Sequence, residues 1–414
     1  MKITVYRPNQ IGGCVTEIES RGGTRIIIDV GSNLPGNVSG NDVDISGITE
    51  NCAGVFVSHY HGDHIGEYKQ VHPPEKIHIG EVAKKIFLTV QTRLSKSERT
   101  GVKPEDLEKI AKFKTFKNGD SVVLGDLTIT PIRADHSAFD SYMFLVSDGE
   151  KRVLHTGDFR THGWTGKEME DALREYSGKV HGLICEGTML SRKSEKVYSE
   201  SDLYEDAKKI LNDNRNVFVL CSSTNIDTIA TFYKAAWEHN SLPVADKFQR
   251  NILNVVTESG SGEFYELQRT KIYWPDEPKY LKLRQDCLRK MRGMGFCMFI
   301  RATQFFEDPL ALFPDNIIVY SMWKGYLEDG KPYTDENKKK FLDKAKDNGS
   351  KVLIKHTSGH AYEDSIINLC NTVLPKKIFP IHSERPDRFE ELKAENKIQS
   401  EIKRFTGEKS EETV

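Results

Sequence analysis

Residues 55–68 read VFVSHYHGDHIGEY, an apolar run that breaks into a loop carrying His59, His61, Asp63 and His64. Alternate residues on a loop leaving a strand can converge. H-x-H-x-D-H therefore offers three imidazoles and a carboxylate from one turn of chain. These donors suit zinc, with manganese or iron as substitutes. Gly62 is expected to remove side-chain bulk between donors, and Gly66 to permit close helix approach. The bland alternative is a solvated loop rich in histidine, and it leaves the order of four metal-grade side chains to chance.

One loop cannot complete two metal shells, so further donors are sought at other strand ends. His136, in IRADHSAFDSY, follows the strand-like LTITPI; Asp158, in LHTGDFRTHG, follows KRVL; His382, in KKIFPIHSE, follows an apolar run. Singly, each reads more simply as a hydrogen-bonded core histidine or a turn aspartate. Their joint recurrence at strand ends is what points to one site.

The 414 residues are 37% hydrophobic and 29% charged, with a formal net charge of −2. Any nucleic-acid contact must then use local patches or a metal rather than global attraction. The seven cysteines (Cys14, Cys52, Cys185, Cys221, Cys287, Cys297 and Cys370) are scattered and form no C-x-x-C. Buried reduced thiols are expected, not a disulfide framework. The N-terminal MKITVYRPNQ lacks an apolar signal core, and no stretch approaches the ~18 apolar residues of a membrane span. The expectation is a cytoplasmic protein without a membrane partner.

Short strands dominate the first half. GTRIIIDVG ends in Asp29 and Gly31, while SVVLGDLTITPI and YMFLVSDGEKRVLHTGDF turn at Gly125–Asp126 and Asp148–Gly149 as hairpins. EVAKKIFLTVQTRL carries apolar residues at helical spacing. Near Ser191 the rhythm becomes alternating helix and strand, the pattern of a parallel α/β layer. The expected architecture is one two-sheet domain made of residues 1–190 and 351–414, with a second α/β domain, 191–350, inserted. The tail TGEKSEETV is expected to fray.

Asp29, the H-x-H-x-D-H loop, His136 and Asp158 resemble successive signature positions of the metallo-β-lactamase superfamily. Glu186 in ICEGT, His360 in HTSGHA and His382 in PIHSE resemble its nucleic-acid-processing β-CASP branch, ribonuclease J-like enzymes above all. The resemblance implies an αββα metallo-β-lactamase sandwich with an inserted α/β β-CASP domain. It further implies two zinc ions, one on His59, His61 and His136 and the other on Asp63, His64 and His382, with Asp158 bridging. Asp29 would support the loop or a ligand histidine. The expected catalytic residues are Asp63, Asp158, Glu186 and His360, His360 serving the leaving oxygen and Glu186 orienting a histidine. His356 and Ser358, beside Gly359, inherit a role in holding substrate phosphate. The chain ends soon after His382, without the further domain that many ribonuclease J proteins use for assembly, so a compact nuclease is expected. Oligomeric state stays open, a homodimer included.

Three further stretches bear on substrate. Ser223, Thr224 and Asn225, in CSSTNID, offer hydroxyls and helix N-terminal amides to an anion, or simply cap the helix. Lys279, Lys282, Arg284, Arg289, Lys290 and Arg292 could track a nucleic-acid backbone or form a solvated face. Trp323 and Tyr326 could stack on bases, though packing is the simpler use. The leading expectation is a phosphodiesterase acting on single-stranded RNA, or on single-stranded DNA. Its rivals are a hydrolase of a small thioester, lactone or phosphate ester, and an inactive binding subunit.

Overall fold

The computed structural model describes residues 1–37, 43–192, 197–405 and 409–414, and its strand Ser141–Ser147 accounts for much of the layering. Tyr142, Phe144 and Val146 point into one core, whereas Met143 and Leu145 point into another. A strand buried on both faces needs a layer on each side.

The chain forms two compact units, residues 1–197 with 359–414, and residues 198–358. Among the described residues, the first unit holds two seven-stranded sheets. One runs Lys409–Thr413, Lys2–Tyr6, Val15–Glu19, Arg25–Ile28, Gly54–Val57, Ile77–Gly80, Lys114–Phe116 from edge to edge. The other runs Glu401–Ile402, Lys377–Ile381, Gly182–Glu186, Arg152–His155, Ser141–Ser147, Leu127–Ala134, Val122–Leu124. Between them Ile3, Ile18, Ile26, Phe56, Phe116, Phe144 and Phe379 share one apolar cluster. Phe144 packs edge-on against Phe56 and Phe116 at centroid distances of 5.7 and 5.6 Å. Helices Gly166–Tyr176, Glu363–Val373 and Arg388–Ala394 bury Met169, Leu173, Ile366 and Leu392 on the outer face of the second sheet. Helix Glu81–Leu94, at the expected place, packs against the first sheet. This is the αββα sandwich, and both predicted hairpins pair antiparallel within it.

The described part of the tail, residues 409–414, does not fray. Lys409–Thr413 pairs antiparallel with Lys2–Tyr6, and Val414 N donates to Met1 O at 3.0 Å. An edge strand presents unpaired backbone groups, and they recruit KSEET despite its polar side chains. Residues 406–408 of that tail lie outside the described residues.

The second unit is a six-stranded parallel sheet, ordered Lys271–Ile272, Leu242–Ala245, Phe296–Ile300, Asn216–Leu220, Ile317–Tyr320, Lys351–Ile354. Its last strand pairs with Ile317–Tyr320. The segment expected to open the returning piece of the first domain therefore lies in the inserted unit's sheet. Arg284, counted in the basic stretch, is buried. Its Nη2 donates to both carboxylate oxygens of Asp308 at 2.9 and 2.8 Å. Lys279 pairs with Glu277, and Arg289 and Lys290 with Asp286, so much of that charge is answered within the unit. Trp323 packs against Tyr326 and Tyr333 rather than standing free. No helix among the described residues is long and apolar enough to cross a membrane.

Candidate metal centre

His59 to His64 leave the strand Gly54–Val57, with Gly62–Ile65 coiled into a single helical turn. Asp29, at the end of its own strand with φ 62°, anchors this loop. Its Oδ1 accepts from Ser58 N at 2.7 Å and its Oδ2 from Ser58 Oγ at 2.9 Å and His64 Nδ1 at 2.7 Å. Close approach here depends on Gly31, where a Cβ would fall 1.7 Å from Asp63 O. Gly62, by contrast, has open space around it and relieves no crowding.

Hydrogen-bond partners fix which nitrogen of His59, His64, His136 and His382 carries the proton. Ser58 Oγ donates to Asp29, so at 3.1 Å it accepts from His59 Nδ1. His136 Nδ1 donates to Gly359 O at 2.6 Å. Thr188 Oγ1 donates to His382 O and accepts from His382 Nδ1 at 2.7 Å. The Nε2 atoms of His59, His64, His136 and His382 are left as lone-pair nitrogens.

These lone pairs meet one another and meet carboxylates. His61 Nδ1 lies 3.1 Å from His59 Nε2 and 3.4 Å from His136 Nε2. His64 Nε2 lies 3.2 Å from Asp158 Oδ2, and His382 Nε2 lies 3.4 Å from Asp63 Oδ2. Buried His64 Nε2 and Asp158 Oδ1 have no hydrogen-bond partner. Lone pairs facing one another or facing carboxylates repel unless a proton or a cation lies among them. The donor set therefore fits divalent cations, on one side three imidazoles and on the other His64, Asp63 and His382 around Asp158.

Charge states agree with that demand. Burial lowers His59 and His136 well below the ordinary imidazole value and takes His61 down to about 4. These three stay neutral, as ligation requires. Burial would raise the Asp158 carboxyl, but facing His382 and His64 hold it well below the usual range. Burial would likewise lower His64 and His382, yet Asp158 raises both. The carboxylate half of the cluster draws positive charge to itself.

Glu186 is fully buried and ties three chain segments together. Oε1 accepts from Phe159 N and Ala361 N, each at 3.2 Å, and from His360 Nδ1 at 3.3 Å. Oε2 accepts from Thr188 N at 3.1 Å. His360 is thereby held at Nδ1, with its ring 5.5 Å from that of His136 and 5.6 Å from that of His382. Arg160, fully buried two residues after Asp158, donates from Nε to Asp135 Oδ1 at 3.2 Å, beside His136. Arg160→Ala would take the guanidinium counter-charge from buried Asp135, which keeps neutral donors such as Gly163 N at 2.8 Å, and should cost about 3 kcal/mol. Urea unfolding measures this, and a loss under about 1 kcal/mol would mean the pair behaves like a solvated one.

The substrate-side candidates sit in the second unit. Ser223 Oγ accepts from Arg301 Nη1 at 3.1 Å, and the Thr224 hydroxyl lies 3.0 Å from that of Ser222. Asn225 caps the helix Ile226–Glu238, its side chain accepting from Thr228 N at 3.3 Å. His356 and Ser358 flank buried Thr357, whose hydroxyl donates to Glu200. Sequence reasoning missed Thr188 and the Gly359 carbonyl, which carry no metal-grade chemistry of their own. It also missed Cys14, whose Sγ lies within 4.8 Å of donor atoms of His64 and His382.

Residues 24–213 match the family described as the beta-lactamase superfamily domain, and residues 352–402 match the Zn-dependent metallo-hydrolase RNA specificity domain. Ribonuclease J of Mycoplasma genitalium is 24% identical over 353 residues, covering 80% of this chain and 57% of its own. Ribonuclease J of Mycoplasma pneumoniae is 24% identical over 394 residues, covering 87% of this chain. The chain spans only 57% and 63% of the length of these curated relatives. A crystal structure of a protein of unknown function from Enterococcus faecalis V583 shares the fold, with TM-score 0.74, 17% identity and full coverage of both chains.

Proposed function

Because the chain belongs to the metallo-β-lactamase superfamily, in its β-CASP, ribonuclease J-like branch, we propose that it is a two-zinc phosphodiesterase that hydrolyses single-stranded RNA. One observation supports this most. The segment matching the RNA specificity domain supplies His360 and His382, and these two join the cluster begun by His59 to His64.

In this reading His59, His61 and His136 would hold one cation and Asp63, His64 and His382 the other, with Asp158 serving both. When bound, such a pair supplies a nucleophile at neutral pH and a positive field for phosphoryl oxygens. The protein's share of the work is orientation. Asp29, Ser58, Thr188 and the Gly359 carbonyl hold His64, His59, His382 and His136 in the tautomer that keeps Nε2 available. Glu186 fixes His360 through Nδ1, so His360 presents Nε2 to the departing oxygen and gives it a proton.

Purified protein supplied with zinc or manganese should carry about two cations per chain and cut single-stranded RNA. With 5′-labelled and 3′-labelled strands, early mononucleotides would indicate attack from an end, and early internal fragments attack within. Uncut RNA together with turnover of single-stranded DNA, or of a thioester or lactone, would replace RNA as the substrate.

A further inference from the structure

Of the seven cysteines, Cys14 alone is not buried, and its Sγ falls among metal-grade donors. Its placement is built by the backbone. Gly12 and Gly13 are consecutive left-handed residues, φ 79° and 69°, and turn the chain toward the donor loop. A Cβ on Gly12 would meet Leu34 Cγ at 2.6 Å and Asp63 Cβ at 3.1 Å, so the turn tolerates only glycine. Cys14 N donates to Asp63 O at 2.9 Å, and Gly31 N donates to Cys14 O at 2.9 Å. Arg7 Nη1 clamps the same corner, donating to Gly13 O and Gly31 O at 3.1 and 2.9 Å. Cys14 is thus hydrogen-bonded to the very residue that carries the Asp63 carboxylate. Independently, His64 Nε2 in this group is buried and lacks any hydrogen-bond partner, with its other nitrogen committed to Asp29.

We propose that Cys14 Sγ is a further donor to the cation held by Asp63, His64 and His382, and that it makes this position selective for zinc over manganese or magnesium. The inference rests on the two-cation reading above. Binding releases the thiol proton to solvent and leaves a thiolate, a soft donor that favours zinc, whereas carboxylate and water suit manganese and magnesium.

The test uses the full chain loaded with Co²⁺, and separately with Zn²⁺. Wild type should show an intense near-ultraviolet sulfur-to-cobalt absorption, and zinc X-ray absorption should show a sulfur scatterer at about 2.3 Å. Cys14→Ser should lose both while keeping the weak visible cobalt bands of its nitrogen and oxygen donors. One of its two zinc affinities should fall more than about tenfold, since groups one layer further out are already worth about 10–100-fold. Two bound cobalt ions without the sulfur band in wild type, or a band that persists in Cys14→Ser, would overturn the role of Cys14 and leave the two-cation reading standing. Failure of wild type to bind cobalt would overturn both.

Discussion

Asp158→Ala should lower RNA cleavage by at least about 10³-fold, because a single preorganised charge-stabilising group is already worth about 10²–10³ and the proposed reading sets Asp158 against both cations. The carboxylate is 2% exposed and faces His64 Nε2 at 3.2 Å, His59 Nε2 at 3.9 Å and His382 Nδ1 at 3.5 Å. Without it, buried donors from different strand ends lose their common counter-charge, and metal content should drop below two per chain. Asp158 is not part of the apolar clusters, so circular dichroism should show the fold retained. Metal analysis and a labelled-RNA assay on the same preparation make the measurement. Cleavage within about tenfold of wild type would remove Asp158 from the centre of the mechanism.

His360→Ala should act differently. Its Nδ1 is taken by Glu186, and its proposed work is proton delivery, a contribution of about 10²–10⁴ in rate. Turnover of RNA should fall by that factor while both cations stay bound. A second substrate separates proton delivery from general damage. An activated phosphodiester with a p-nitrophenolate leaving group needs no proton, so the variant should lose far less of its rate with that ester. An equal loss on RNA and on the activated ester, or a matching loss of metal, would contradict the assignment.

The convergence of these side chains was largely legible because residues of metal-grade chemistry recur at strand ends. His59, His61, Asp63 and His64 sit within six positions, and His136, Asp158 and His382 each follow a strand that the alternation or apolar content already marked. The same cues located the helix Glu81–Leu94 and the two hairpins. Features that depend on a distant partner were not legible. Arg284 stands in a basic run, and only Asp308, beyond the end of its helix, explains why it turns inward. KSEET has no apolar alternation, and its strand exists because Lys2–Tyr6 offers an open edge. Cys14 looked like six other cysteines; the one hint was the pair of glycines before it, whose left-handed conformation cannot be read from composition. Thr188 and the Gly359 carbonyl act through ordinary polar groups that any sequence contains in abundance.

The donors lie on two stretches of polypeptide, one before and one after the entire second unit. An ion gripped by His64 and His382 together would therefore act as a removable rivet between the amino-terminal stretch and the returning carboxyl-terminal one. Fastening two points so far apart along the chain withdraws much freedom from the unfolded ensemble. The grip of residues 359–414 on the sandwich would thus tighten or slacken with the free concentration of the ion, linking folding to metal supply.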